Sequence, residues 1–143
     1  AAMLAHADAA LIIGDVALFL DHEAAGVTKI DLGQEWNELT ALPFVYACWT
    51  GWPGAVDAHD ITALQRARDA GMAQSDAVAA AYYPDDTPRQ AVARRYLRDN
   101  IRYVLGDDEI EGLKTFYRYA GEAGLVDFDG TLRFYDAEHT DAR

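Results

Sequence analysis

The sequence predicts an α/β domain, with a short mixed sheet in its first third followed by a helical C-terminal region. Short apolar or β-branched runs at 8–14, 27–32 and 43–49 alternate with segments of helical spacing, as in chains where strands and helices follow one another. From residue 58 onward, apolar residues recur at intervals of three and four, which is the spacing of amphipathic helices. The length of 143 residues corresponds to one domain.

The first forty residues contain two predicted strand–helix pairs. Residues 8–14 (DAALIIG) run into a Gly-Asp turn and predict a buried strand, and 15–20 predict a short helix. A brief strand is expected at 27–32, where β-branched residues cluster. The helical spacing of Trp36 and Leu39 predicts a helix at 33–40.

The stretch TALPFVYACWTGW, residues 40–52, has no charged side chain, although the chain carries a formal net charge of −12. Pro43 lacks a backbone N–H and therefore belongs at the first residue of a strand. Both alternating faces beyond it are apolar, which is typical of a strand covered on both sides. We therefore expect a buried strand here, with Cys48 as a small core residue.

Turn and cap residues predict four helices in the rest of the chain. Proline suits the first helical turn and glycine commonly ends a helix. The predicted helices are 58–71, one capped by Ser75 that ends at Tyr82, one from Thr87 and Pro88 to Leu105, and one capped by Asp107 or Asp108 that ends at Gly124. A short strand is expected at 131–136. Because buried strands need neighbours on each side, these strands are too few for a complete sheet, and we expect the chain to pair with another copy or to lack a segment.

The charge balance excludes several classes of protein. The 24 acidic residues outnumber the 12 basic ones, whereas a duplex nucleic-acid binder needs a basic face. The same balance disfavours docking on an anionic membrane, and no apolar run reaches the ~20 residues that span a bilayer. An acidic surface of this kind predicts a cytoplasmic protein, and the lone Cys48 is compatible with a reducing compartment.

Polar motifs give few indications of chemistry. The four histidines show no metal-ligand spacing with one another or with Cys48, and no glycine-rich phosphate loop is present, so we expect no metal site. Asp60 is expected to cap its helix. The basic helical face formed by Arg94, Arg95, Arg98 and Arg102 is interpreted as solvated and ion-paired rather than as an anion site.

Asp15 allows two interpretations that can coexist. It follows Gly14 at the end of a predicted strand, where ligands bind in open α/β sheets. It is also well placed to cap the helix at 15–20, and spacing alone favours the cap.

Two motifs in order along the chain resemble one enzyme family. ADAALIIGDVAL (7–18) contains a strand ending in IGD, and DLGQEWNELTALPFVYACWTGWPG (31–54) contains a DLG-x-x-W helix followed by LPFV-x-A-x-W. Together they resemble the chorismate dehydratases of the futalosine route to menaquinone, and the similarity continues more loosely to LRFYD near the C-terminus. The family has glycine where Ala41 stands, at a position that favours a positive φ.

This resemblance implies a periplasmic-binding-protein-like, type II two-lobed fold. Residues 1–45 would form a strand–helix–strand–helix portion of one lobe. Residues 46–143 would form the crossover strand and the helical C-terminal portion of the other lobe. The family's N-terminal half would be missing. The implied activity is a lyase reaction, the dehydration of chorismate to 3-enolpyruvylbenzoate, with no metal and no organic cofactor.

The resemblance also implies a substrate site in the cleft between the lobes. Gly14 would let the substrate approach the backbone closely. The Thr40 hydroxyl and backbone N–H groups would be available to a carboxylate from the opposite side. No residue is identified as the catalytic base, because the family is thought to rely on positioning and on the substrate's own carboxylate. The implied substrate-binding residues are Ile13, Gly14, Asp15, Thr40, Ala41, Leu42, Pro43 and Phe44.

Two other hypotheses remain open besides the enzyme. The chain could bind a carboxylate without turning it over, or it could be a relic that only dimerises. The expected partners are chorismate or a related aromatic carboxylate, together with either a second copy of the chain or the missing N-terminal half.

Overall fold

The computed structural model describes residues 3–135 of the chain, and these residues form helices joined by irregular segments. The six α-helices are α1 (Gly14–Phe19), α2 (Leu32–Thr40), α3 (Ala58–Ala73), α4 (Ser75–Tyr82), α5 (Thr87–Arg95) and α6 (Asp107–Glu122). A 3-10 turn at Met3–Ala5 precedes α1, and a π-helical turn at Tyr96–Asn100 continues α5.

The predicted sheet is not formed, so the expected α/β class is wrong. Residues 3–135 contain no strand, which rules out the mixed sheet of a periplasmic-binding-protein-like, type II fold in this part of the chain. The segments 9–13, 27–31 and 131–135 are non-helical, as predicted, but no ladder pairs them. A strand exists only within such a ladder, and high β-propensity does not replace a partner. Asp136, the last residue of the fourth predicted strand, lies outside the described residues.

The uncharged stretch after Pro43 differs most from its prediction. It is irregular from residue 43 to 52, and none of its side chains beyond Val45 is even half-buried. Tyr46, Trp49 and Trp52 are exposed to 73%, 71% and 85%, and Cys48 is exposed rather than part of a core. The expectation of a buried strand was wrong because, within residues 3–135, no segment pairs with this stretch or buries its side chains beyond Val45.

The helices begin close to where local signals predict, but the caps expected at Ser75 and at Asp107 or Asp108 are wrong: Gln74 and Gly106 hold those positions, without a side-chain cap bond. The Asp31 carboxylate accepts hydrogen bonds from the Gly33 and Gln34 amides at the start of α2. Asp57 and Asp60 form a reciprocal capping box on α3, which confirms that Asp60 acts as a cap. These bonds satisfy amides that have no partner within the first helical turn.

The start of α5 also follows its sequence signal, but its end does not. Pro88 lies in the first turn of α5, and the Asp86 carboxylate accepts a 2.9 Å hydrogen bond from the Arg89 amide. The predicted helix to Leu105 is shorter in the structure, because the helical backbone stops at Asn100 and 101–106 is non-helical. The β-branched residues Ile101 and Val104 lose side-chain freedom in a helix, which favours this earlier end.

The chain buries little of its surface. Among residues 3–135, only four are buried: Ala79, Ala93, Gly112 and Thr115. The accessible surface is 11664 Å², whereas a compact protein of 15.7 kDa exposes about 7300 Å². Much apolar surface therefore remains open to a partner. The expected division into 1–45 and 46–143 stays a prediction.

Candidate substrate-binding site

An aromatic cluster joins α2, the segment after it and α6. Trp36 on α2 contacts Phe44 and Phe116 edge-on, with ring centroids 5.7 and 5.9 Å apart, and Phe44 lies 5.4 Å from Phe116. Tyr46 and Tyr119 complete the cluster, the first against Phe44 and the second against Trp36. Such edge-to-face pairs contribute stability beyond the apolar area that they bury. The cluster therefore holds the 40–44 segment, which contains five of the eight predicted substrate-binding residues, against α2 and α6.

The turn at 40–44 is held by side chains of α2. The Trp36 indole Nε1 donates a 3.3 Å hydrogen bond to the Pro43 carbonyl oxygen, and the Asn37 amide donates one of 3.3 Å to the Leu42 carbonyl. Ala41 adopts the left-handed conformation at φ 58°, directly after the last residue of α2. This confirms that the position requires a positive φ, although it carries a methyl group.

Gly112 brings α6 directly against this turn. A methyl group on its Cα would overlap the Pro43 carbonyl oxygen and touch the Leu42 side chain. Gly112 is buried within α6. Sequence reasoning missed this residue, although a signal was present: a glycine inside a helical pattern costs about 1 kcal/mol relative to alanine and indicates a close backbone approach.

The Thr40 hydroxyl is engaged within the chain. It donates a 2.8 Å hydrogen bond to the Trp36 carbonyl oxygen and accepts one of 3.2 Å from the Leu42 amide. A carboxylate that binds the Thr40 hydroxyl or the Leu42 N–H therefore has to displace these internal bonds. The role of Thr40 and Leu42 in substrate binding stays a prediction.

The other predicted group, Ile13–Asp15, lies at the start of α1. Ile13 is 79% exposed. Gly14 has φ +65° and open space beside its Cα. Asp15 does not cap α1, since the N-cap position is Ile13 and no side chain bonds the free amides there. The Asp15 carboxylate instead accepts a 2.7 Å hydrogen bond from the Tyr83 hydroxyl, so the capping interpretation was wrong and the ligand interpretation stays open.

The structure ties these two groups to different elements. The 40–44 turn packs on α6 through Phe44 and Phe116, whereas Asp15 is bonded to the residue that follows α4. Across residues 3–135, no hydrogen bond or ring contact links 13–15 with 40–44. Their convergence on one cleft stays a prediction.

Ion pairs occupy much of the basic face that precedes α6. Arg98 pairs with Asp99 at 2.8 Å and Arg102 with Glu109 at 3.8 Å. The hydrogen bond from Arg98 lowers the pKa of Asp99. Arg94 donates to Gln90 at 3.1 Å. Arg98 and Arg102 are thus ion-paired as interpreted, whereas Arg94 bonds a neutral amide and, among the described residues, its Nε is buried without a hydrogen-bond partner.

Asp57, His59 and Asp60 place possible ligand atoms within 4.8 Å of one another, but all three are exposed. The capping box of α3 already uses both aspartates. Capping accounts for this cluster, and we assign no metal site to it. His139, one of the four histidines, lies outside the described residues.

None of the described helices combines the length and the apolar composition needed to cross a bilayer. No solved structure matches the chain significantly. A family model described as menaquinone biosynthesis matches residues 1–122. The match covers most of the chain, includes both motif stretches at 7–18 and 31–54, and agrees with the resemblance to chorismate dehydratases. The chain therefore belongs to the menaquinone biosynthesis family, and its role lies in that pathway.

Proposed function

We propose that the chain is a hydro-lyase that dehydrates chorismate to 3-enolpyruvylbenzoate. The observation that carries this proposal is the contact between two of its motifs: Trp36 of DLG-x-x-W donates its indole hydrogen bond to Pro43 of LPFV. The DLG-x-x-W and LPFV motifs thus form one local structure rather than two separate matches. Membership of the menaquinone biosynthesis family supports the same function.

The composition of the 40–44 turn suits a dianionic ring substrate. The turn carries no charge within a chain of formal net charge −12, so it does not repel carboxylates as most of the surface would. The adjoining aromatic cluster offers ring faces and edges to a six-membered ring. The 40–44 turn would therefore contact the ring, and amide groups would bind a carboxylate.

Dehydration of chorismate removes one proton and expels one hydroxide as water. Of the eight predicted site residues, only Asp15 has an ionisable side chain. Its negative charge disfavours contact with a substrate carboxylate but allows it to accept a hydrogen bond from a hydroxyl. The chain would then contribute mainly orientation, and the substrate's own carboxylate would take the proton.

A binding module without turnover is the second candidate. The observation that favours it is the same scarcity of titratable groups in the predicted site, because binding needs only donors and an apolar wall. The two candidates predict equal binding of chorismate and differ only in whether product forms.

We further propose that the chain self-associates or pairs with another polypeptide. Its accessible surface exceeds the expectation for its mass by about 4000 Å², which is more than the roughly 1000–2500 Å² that each partner buries in an obligate interface. The uncharged stretch at 44–52 contributes exposed Trp49 and Trp52 to this excess. If the chain only dimerises, as in the third hypothesis, it should associate but should not bind chorismate.

The test is chorismate consumption by the purified full chain, with the product identified by chromatography and mass spectrometry. We expect 3-enolpyruvylbenzoate to form, and binding without product would favour the second candidate. Thr40→Ala is expected to weaken chorismate binding more than Arg98→Ala, whose ion pair lies on the basic face. Equal effects of the two variants in calorimetry would contradict a site at the 40–44 turn.

A further inference from the structure

A hydrogen bond joins two residues that are 68 positions apart in the sequence. The Tyr83 hydroxyl donates to Asp15 Oδ2 at 2.7 Å, which links the first turn of α1 to the residue after α4. Tyr83 is the C-cap residue of α4, where its backbone N–H bonds to the Ala79 carbonyl. The Asp15 side chain, which directly follows Gly14, is therefore oriented by a residue far away in the sequence.

The phenol itself is held in place from several sides. Its ring packs edge-on against Phe19 at the end of α1, with centroids 5.4 Å apart. Its backbone carbonyl accepts a 2.7 Å hydrogen bond from Gln90 of α5. Arg89 covers the Phe19 ring at 5.1 Å. Both ends of Tyr83 are thus fixed, and little rotamer freedom remains to be lost when the hydroxyl bonds to Asp15.

One side of the Asp15 carboxylate is free for a ligand. Within the part of the chain that the structure describes, Oδ1 of Asp15 has no hydrogen-bond partner, and Oδ2 is bonded to Tyr83. The neighbouring Gly14 has nothing within 4 Å of where a Cβ would stand. An ionised carboxylate only accepts hydrogen bonds, so a group that binds Oδ1 has to be a donor such as a hydroxyl.

We infer that Tyr83 is a positioning residue for ligand recognition: its hydroxyl holds one oxygen of Asp15 so that the other accepts a hydrogen bond from a ligand hydroxyl. This inference rests on the proposed function in one respect, since chorismate is the hydroxyl-bearing ligand used to test it. It adds a residue, Tyr83, that lies far outside both sequence motifs.

The protonation of Tyr83 supports this role. Removal of water from the phenol and its hydrogen bond to Asp15 raise the pKa of Tyr83 to about 12. The hydroxyl therefore remains a donor at neutral and moderately alkaline pH.

The closing experiment compares Tyr83→Phe with Tyr82→Phe in the full chain. The two tyrosines are adjacent and their rings touch, with centroids 4.9 Å apart, but the hydrogen bond to Asp15 comes from Tyr83 alone. We expect Tyr83→Phe to raise the Kd for chorismate about fivefold to tenfold, as for a lost charge-assisted hydrogen bond, and Tyr82→Phe to change it less than twofold.

A double-mutant cycle separates positioning from a structural effect. Asp15→Ala should weaken binding by at least as much as Tyr83→Phe, and the double variant should bind no more weakly than Asp15→Ala alone, because Tyr83 acts through Asp15. Strictly additive effects would overturn the inference, as would equal Kd values for Tyr83→Phe and Tyr82→Phe.

A measurement without ligand tests the Tyr83–Asp15 hydrogen bond independently of the proposed function. In ¹³C NMR of the chain labelled at tyrosine Cζ, the signal that disappears in Tyr83→Phe is assigned to Tyr83. In the wild type at pH 10.5, this signal should have the chemical shift of a neutral phenol. In Asp15→Ala at the same pH, it should move towards the chemical shift of a phenolate. If the wild-type chain binds no chorismate, the proposed function is overturned. An unchanged NMR signal in Asp15→Ala would overturn the Tyr83–Asp15 pair itself.

Discussion

The indole N–H of Trp36 donates a 3.3 Å hydrogen bond to the carbonyl oxygen of Pro43, seven residues further along the chain. This bond folds the segment after α2 back onto the helix and places Phe44 against Phe116 of α6. The DLG-x-x-W motif therefore acts on the LPFV motif through one side chain, and stability measurements can test this arrangement directly.

Replacing Trp36 with phenylalanine should loosen the 40–44 turn. Trp36→Phe keeps an aromatic ring but removes the donor to Pro43, so we expect the free energy of unfolding to fall by about 1–2 kcal/mol. Chemical denaturation measures this change. Trp49→Phe is the control, because Trp49 is largely exposed and its replacement should stay within about 0.5 kcal/mol. Similar losses for both variants would contradict a specific role for the Trp36 bond.

A methyl group at Gly112 should separate α6 from the turn. Gly112→Ala would overlap the Pro43 carbonyl, and we expect a loss of about 1–3 kcal/mol despite the better helix propensity of alanine. Gly121→Ala lies in the same helix, where the added methyl would meet only the Val126 carbonyl at an ordinary 3.6 Å. That variant should gain stability, by up to about 1 kcal/mol. A gain for both variants in thermal or chemical unfolding would exclude the close contact at Gly112.

Ala41 should become more stable as glycine. Its left-handed conformation, φ 58°, costs an L-residue roughly 1–2 kcal/mol, and the greater freedom of glycine in the unfolded chain offsets part of this. We expect Ala41→Gly to raise the free energy of unfolding by about 0.5–1 kcal/mol. Ala63→Gly, in the middle of α3, should lower it by a similar amount. Destabilisation by both substitutions would indicate that Ala41 is not left-handed in solution.

Association should depend on the exposed tryptophans of the 44–52 stretch. We expect the purified chain to form oligomers in light scattering, and the combined change Trp49→Ser and Trp52→Ser to shift it towards smaller species by removing apolar surface. Leu125→Ser is the matched control, because Leu125 is also exposed but lies after α6. A stable monomer at low protein concentration would argue against the proposed partner surface.

The Tyr83–Asp15 pair predicts a loss of stability at alkaline pH. The pKa of Tyr83 is raised in the folded chain to about 12, above the unfolded value near 10. Its contribution is therefore fully present below pH 10 and is lost as the pH rises through about 12. The difference in unfolding free energy between wild type and Tyr83→Phe should shrink between pH 9.5 and 11.5. A constant difference over this range would show that the proton of Tyr83 does not stabilise the fold.

Short-range sequence patterns predicted the helices of this chain but not its fold class. The end of α4 at Tyr82 was predicted, although Ser75 is its first residue rather than its cap, and Pro88 lies in the first turn of α5 as expected. The same kind of pattern predicted strands at 27–32 and 43–49, and there it was wrong. A helix satisfies its hydrogen bonds within one segment, whereas a strand needs a second segment beside it.

The predicted site divides in a similar way. The positive φ at Ala41 could be predicted because a helix end imposes it locally, and the motif residues around Trp36 and Pro43 indicated the family that the comparison confirms. Gly112 and Tyr83 could not be predicted as partners of this region, because they lie 69 and 68 positions from the residues they contact.

The amino-acid sequence by itself determined to which family the chain belongs, roughly where the helices begin, and the capping role of Asp60 on α3. Only the tertiary structure decided that α6 packs on Pro43 through Gly112, that Tyr83 rather than a helix end holds Asp15, and that the apolar stretch after Val45 is exposed. The physical reason is range: caps and helical turns act over about four residues, whereas packing and strand pairing depend on which distant segments meet.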